Sequence, residues 1–138
     1  MQEIINLKAE DIMIKRVARI DGDATVMDAI EKLYLTNVGA LVVVDKTDKL
    51  IGIFTERDLL RRVIPQKLKL EKAIVSKVMT AKPMTAEPQT PVLKVYKAMS
   101  GLNFRHIPVV KDDKIVGIIS IKDIAKACMN YIEKRSQD

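Results

Sequence analysis

The sequence predicts a mixed α+β protein: two β-α-β-β-α repeats, each with a small three-stranded sheet, packed as one pseudo-twofold module. Three observations predict it. The same corner, Gly-x-x-[Thr/Ser]-x-x-Asp, occurs as Gly52-Ile53-Phe54-Thr55-Glu56-Arg57-Asp58 and, 65 residues later, as Gly117-Ile118-Ile119-Ser120-Ile121-Lys122-Asp123. The self-match continues upstream at an offset of 66, pairing Met13 with Met79, Val26 with Val92, Asn37 with Asn103 and Val43-Val44 with Val109-Val110. The one-residue slip falls at Lys46-Thr47, in a polar stretch between two apolar runs, where a hairpin loop absorbs a change of length most easily. A repeat on this scale organises every local reading.

Each half presents the same order of elements. Thr25 precedes apolar residues at Val26, Ala29, Ile30 and Leu33, spaced three and four apart as on one face of a helix, and Asn37 and Gly39 end that pattern. Ala40–Val44 is an unbroken apolar run, followed by the turn Asp45-Lys46-Thr47-Asp48 and by Leu50–Phe54, which together read as a hairpin of buried strands. Thr55 opens a second helix through about Val63, and Pro65 stops it. In the second half the helix is Val92–Leu102, the strands are Ile107–Val110 and Lys114–Ile119, and a longer last helix runs from Ser120 to about Lys134. A three-stranded sheet covered on one side leaves an apolar face exposed, so two lobes are expected to pack together. The repeats are expected at 8–65 and 74–135, joined by a short connector at 66–73.

Composition narrows the function classes. A chain of 138 residues buries a proper core but does not make two large domains. Its longest apolar runs, Leu41–Val44 and Ile115–Ile119, fall far short of the roughly 20 residues that span a bilayer, so no membrane segment is expected. Met1-Gln2-Glu3-Ile4 carries acid where a secretory signal carries base. The single cysteine, Cys128, has no internal disulfide partner and reads as a half-buried helix thiol in a reducing cytoplasm. The net charge of +6 is spread over Arg61-Arg62, Lys67–Lys72 and the rest of the chain without interleaved aromatic residues, which favours a solvated surface over a nucleic-acid footprint. Met13, Met79, Met84 and Met99 lack His or Cys companions and read as core filler, not as a metal site. No nucleophile is paired to a histidine, and no Walker or Rossmann loop or Cys/His cluster is present, so no catalytic residue is assigned and no enzyme is expected.

The two corners admit two readings. A hydroxyl and a carboxylate three residues on can close a capping box on a helix N-terminus. Alternatively, the N-terminal amides and their partial positive charge suit a phosphate, the carboxylate accepts from a ribose diol, and Arg57 and Lys122 add charge-assisted bonds. Two matched corners favour the ligand reading. His106 is either a boundary residue that orients a turn or, with Arg105, a phosphate contact; Gly39-Ala40 at the matching positions cannot make that contact, so the corners are chemically unequal.

With Asp11-Ile12-Met13 and Lys77-Val78-Met79-Thr80 early in the repeats, Arg105-His106-Ile107-Pro108-Val109 opening a strand of the second, and the corner present in both, the chain resembles a tandem pair of CBS domains, the cystathionine β-synthase-type repeat, over nearly its whole length. The first repeat departs from the pattern with Gly39-Ala40-Leu41-Val42. The resemblance implies a regulatory module that binds AMP, ADP, ATP or S-adenosylmethionine in clefts between the repeats and carries no cofactor. It implies that Asp58 and Asp123 hold ribose hydroxyls, that Thr55 and Ser120 contact phosphate beside Arg57 and Lys122, and that the loops Val17-Ala18 and Pro83-Met84 contact the base. It further implies a homodimer and an effector protein that reads the ligand state. A ligand-free dimerisation or interaction module and, below it, a basic nucleic-acid binder are the alternatives.

Overall fold

Thr25 starts the first long helix as the sequence suggests. Its hydroxyl accepts from the Asp28 N–H and the Asp28 carboxylate accepts from the Thr25 N–H, each at 3.1 Å. The helix, α2 (Val26–Thr36), buries Val26, Ala29 and Leu33 and ends on Asn37, whose left-handed backbone (φ 53°) lets its N–H reach the Leu33 carbonyl. The computed structural model describes residues 6–102 and 104–136; Met1–Ile4 and Asn103, used above, lie outside them. Around α2 the order is α1 (Ala9–Ile12), β1 (Arg19–Asp21), α2, β2 (Ala40–Val44), β3 (Leu50–Thr55) and α3 (Glu56–Asp58), which runs into a π turn at Leu59–Val63. Then come α4 (Val75–Val78), β4 (Thr80–Ala81), α5 (Val92–Leu102), β5 (His106–Lys111), β6 (Lys114–Ser120) and α6 (Ile121–Ser136). The fold is the mixed α/β type with small sheets.

The strand counts differ from three and three. One sheet has four strands in the order β1-β2-β3-β4, with β1 parallel to β2 and the rest antiparallel; the other has β5 and β6 alone. The same layout persists in the smaller sheet as single bridges, Ala86 to Val109 in parallel and Ile14 to Ile118 antiparallel. One cause is visible in the sequence. In the larger sheet the Val42 N–H donates to the Ala18 carbonyl at 3.0 Å. Pro108 stands at the matching place and has no N–H, so the ladder there cannot extend. Both hairpins nevertheless shift register at the same step, Val43/Val44 and Val109/Val110. The duplication therefore extends to an irregularity.

The length slip lies in the hairpin turns. Asp112 and Asp113 both have positive φ (51° and 64°), as a two-residue type I′ turn requires. The first hairpin uses a longer turn held by Asp45, whose Oδ1 accepts from the Thr47 hydroxyl (2.7 Å), the Thr47 N–H (2.8 Å) and the Lys49 N–H (3.0 Å). These bonds, the Thr47 hydroxyl foremost, hold the Asp45 carboxyl below its ordinary range. A depressed folded value means that the turn's ordering is present above the ordinary carboxylate range and is lost as pH falls through the folded value. Amide exchange at Thr47 and Lys49 is expected to accelerate on acidification, beyond the intrinsic pH dependence of exchange, and Asp45→Asn is expected to remove that excess.

The chain forms two compact units: residues up to Arg16 together with those from Met84 onward, and Val17–Pro83. Each has its own core. That of Val17–Pro83 includes Ile20, Val26, Leu41, Val43, Phe54, Val63 and Val75; the other includes Ala9, Val92, Val95, Met99, Ile107, Ile119 and Ile124. The α1 segment, at the start of the first repeat, thus packs with the hairpin of the second. The α4-β4 segment, at the start of the second repeat, packs with the hairpin of the first. Met79 and Met13 lie over Gly52 and Gly117, where a Cβ would collide with the Met79 thioether and would stand 2.5 Å from Met13 Sδ. Those two residues and Met99 are packing residues as expected. Met84 is not: it is 42% exposed, in the irregular stretch between β4 and the Ala86 bridge, outside both cores.

Candidate functional site

At the second corner β6 ends on Ser120 and α6 begins at once. Asp123 Oδ2 accepts from the Ser120 N–H (2.8 Å) and the Ser120 hydroxyl (2.9 Å), while the Asp123 N–H donates back to Ser120 Oγ (3.3 Å). The capping box is therefore formed. It occupies only one carboxylate oxygen; Oδ1 of the half-buried Asp123 accepts nothing from the described residues. Strand register sets His106 directly opposite Ser120, and the Arg105 carbonyl accepts the Ile121 N–H at 3.0 Å. Arg105, His106, Ser120, Lys122 and Asp123 are thereby brought to one place, with Arg105 and Lys122 exposed and His106 half-buried.

The first corner repeats this framework. Asp58 Oδ2 accepts from the Thr55 N–H (2.9 Å) and hydroxyl (3.3 Å), and the Asp58 N–H donates to Thr55 Oγ1 (3.3 Å). Ala40 lies opposite Thr55, and the Gly39 carbonyl accepts the Glu56 N–H at 3.2 Å. The difference is at the other oxygen. Asp58 Oδ1 accepts from the Thr80 hydroxyl at 3.0 Å and lies 3.6 Å from Arg62 Nε, while Arg62 Nη1 donates to the Met79 carbonyl at 2.8 Å. Asp58 is only 6% exposed. Arg57 is half-buried beside it in sequence.

Thr80 and Arg62 were not among the residues the sequence singled out. Arg62 reads as solvated surface charge; it is exposed, and its guanidinium also lies beside a buried carboxylate. The signal was available in the self-match, where Thr80 stands against Ile14 and Arg62 against Ala127. Val17, Ala18 and Pro83 fall in the unit that holds Thr55, Arg57 and Asp58, whereas Met84 falls in the unit that holds Ser120, Lys122 and Asp123. Among the described residues no group of three or more His, Cys, Asp or Glu side chains is placed to hold a metal, and no helix is long and apolar enough to cross a membrane. Cys128 is a free, half-buried thiol packed against the second core.

The CBS domain family model matches residues 9–65 and 75–130. The chain belongs to the CBS domain family. Among curated proteins, this CBS pair is 38% identical over 131 residues to the CBS domain-containing protein CBSX3, mitochondrial, of Arabidopsis thaliana, covering 87% of this chain and 64% of that one. It is 30% identical over 124 residues to an uncharacterized 17.7 kDa protein in the bps2 3′ region of Acidianus ambivalens, covering 89% of this chain and 74% of that one. The chain thus spans somewhat less than two thirds of the Arabidopsis relative. Among solved structures, an uncharacterized conserved protein from Pyrococcus horikoshii superposes with a TM-score of 0.84 at 29% identity, over 90% of this chain and 93% of that one. The CBS domain pair of protein MJ0100, solved in complex with 5′-methylthioadenosine and S-adenosyl-L-methionine, superposes with a TM-score of 0.82 at 30% identity, over 90% and 97%. In this CBS pair the two Gly-x-x-[Thr/Ser]-x-x-Asp corners share a backbone framework and differ in which carboxylate oxygens are occupied.

Proposed function

We propose that the chain is a non-catalytic regulatory module that takes up an adenosyl compound, either S-adenosylmethionine or an adenine nucleotide, at the Asp123 corner and passes its ligand state to a partner protein. The observation that carries this reading is Asp123 Oδ1, which accepts from none of the described residues, at the start of a 16-residue helix whose corner also brings in Arg105, His106 and Lys122. That oxygen accepts from a ribose hydroxyl. The N-terminal end of α6 and the neighbouring cations favour phosphate over a neutral tail, and the exposed Met84 of the same unit offers an apolar face to the base. The adenosyl ligands of the MJ0100 pair, a protein 30% identical to this chain, support the ligand class. Regulation requires only that the ligand bind one arrangement of the module more tightly than another, so that binding shifts their populations. Tyr34 and Leu35 on α2, 83% and 78% exposed, supply apolar surface for a homodimer.

The test is a thermal-shift series with AMP, ADP, ATP, S-adenosylmethionine and GTP on the parent protein and on Asp123→Ala. A ligand at about 100 times its dissociation constant stabilises by roughly 2.7 kcal/mol, a rise of several degrees for a chain of this size. An adenosyl compound is expected to give that rise and Asp123→Ala to remove it. Failure of every compound at millimolar concentration would favour the ligand-free interaction module.

A further inference from the structure

We infer that Asp58, although it matches Asp123 in sequence, is a tether for the α4-β4 segment and not a ligand acceptor, so that each chain takes one adenosyl ligand; the stoichiometry rests on the adenosyl reading above. A carboxylate that holds a ribose needs a lone pair accessible to the incoming hydroxyls. At Asp58 both oxygens already accept from the chain: Oδ2 from Thr55, and Oδ1 from the Thr80 hydroxyl at 3.0 Å with Arg62 Nε 3.6 Å away, so neither oxygen is left without a partner. A ribose hydroxyl would have to share Oδ1 with Thr80 and Arg62, and with 6% of the residue exposed little of it meets solvent.

The same comparison explains why Asp123 differs. Thr80 pairs with Ile53 in β3, and the equivalent bridge in the other unit joins Ile14 to Ile118. Ile14 has no hydroxyl to donate. Ala127, at the place of Arg62, has no cation. Two substitutions between the repeats therefore separate a closed corner from an open one. The closed corner also gains a mechanical role. Arg62 bonds the Met79 carbonyl and Asp58 bonds the Thr80 side chain, so both hold the residues that enter β4.

Two measurements decide the matter. In urea unfolding, Asp58→Ala and Thr80→Val are each expected to lower stability, and the double variant to lose less than the sum of the two, since the Asp58–Thr80 bond is removed in both; additive losses would overturn the tether. In isothermal titration with S-adenosylmethionine, AMP and ATP, the parent protein is expected to bind one equivalent per chain, Asp123→Asn to lose it and Asp58→Asn to keep it. The pair Thr80→Ile with Arg62→Ala, which copies the open corner, is expected to raise the number towards two. Two equivalents on the parent protein, or loss of binding in Asp58→Asn, would overturn the inference. If neither the parent nor the Thr80→Ile/Arg62→Ala protein binds any of the three compounds, the adenosyl reading fails, while the unfolding cycle still decides the tether.

Discussion

Phe54→Ala is expected to lower the unfolding free energy by about 3–5 kcal/mol, the range for deleting a buried aromatic ring. Phe54 has no exposed surface, lies opposite Leu41 in the β2-β3 ladder and is the residue before the Thr55 corner. A domain has a total stability of about 5–15 kcal/mol, so this single truncation removes a large share of it. The loss should be concentrated in Val17–Pro83, whose core the ring belongs to. Hydrogen exchange resolved by peptide should show faster exchange in that unit first. Ile119 occupies the matching place in the other core, fully buried, and Ile119→Ala should cost about 2–5 kcal/mol there. Equal acceleration in both units for either variant would show that the cores do not open separately.

The second large effect is expected from Gly52→Val and Gly117→Val, each destabilising by about 1–3 kcal/mol through overpacking. The reason is steric: neither glycine has positive φ, so the backbone itself admits a side chain. The obstacle is a methionine from the segment that adds to each sheet, Met79 over Gly52 and Met13 over Gly117. The discriminating measurement is therefore a pair of double variants. Gly52→Val with Met79→Ala, and Gly117→Val with Met13→Ala, should recover part of the loss, because the truncated methionine vacates the volume the valine needs. Double variants less stable than the sum of their single changes would place the obstacle elsewhere.

Much of this was legible in the sequence, and the illegible part has a common cause. Ala40–Val44 and Val92–Leu102 are found where their residues set them, because an unbroken apolar run and a three-and-four spacing are local signals. The capping boxes at Thr55 and Ser120 were readable for the same reason, since partner and cap lie three residues apart. Thr80 on Asp58 was not readable, because 22 residues separate them and only strand pairing brings them together. Nor does any local pattern state to which sheet edge the Met13 and Met79 segments add. The shortened ladder at Pro108 falls between these cases: the missing N–H is plain in the sequence, but its importance depends on the Ala18-to-Val42 bond in the other sheet.

The crossed assignment of the α1 and α4-β4 segments has a consequence for biosynthesis. Val17–Pro83 is continuous, so it can close as soon as Pro83 has cleared the ribosome. Ile14, made earlier, pairs with Ile118, and translation at about 5–20 residues per second sets the two roughly 5–20 s apart. Residues made before Val17–Pro83 thus complete the unit that closes after it, and the Asp123 corner belongs to that later unit. A nascent chain would form the Asp123 corner only once α6 has been made, when the Asp58 corner can already be in place.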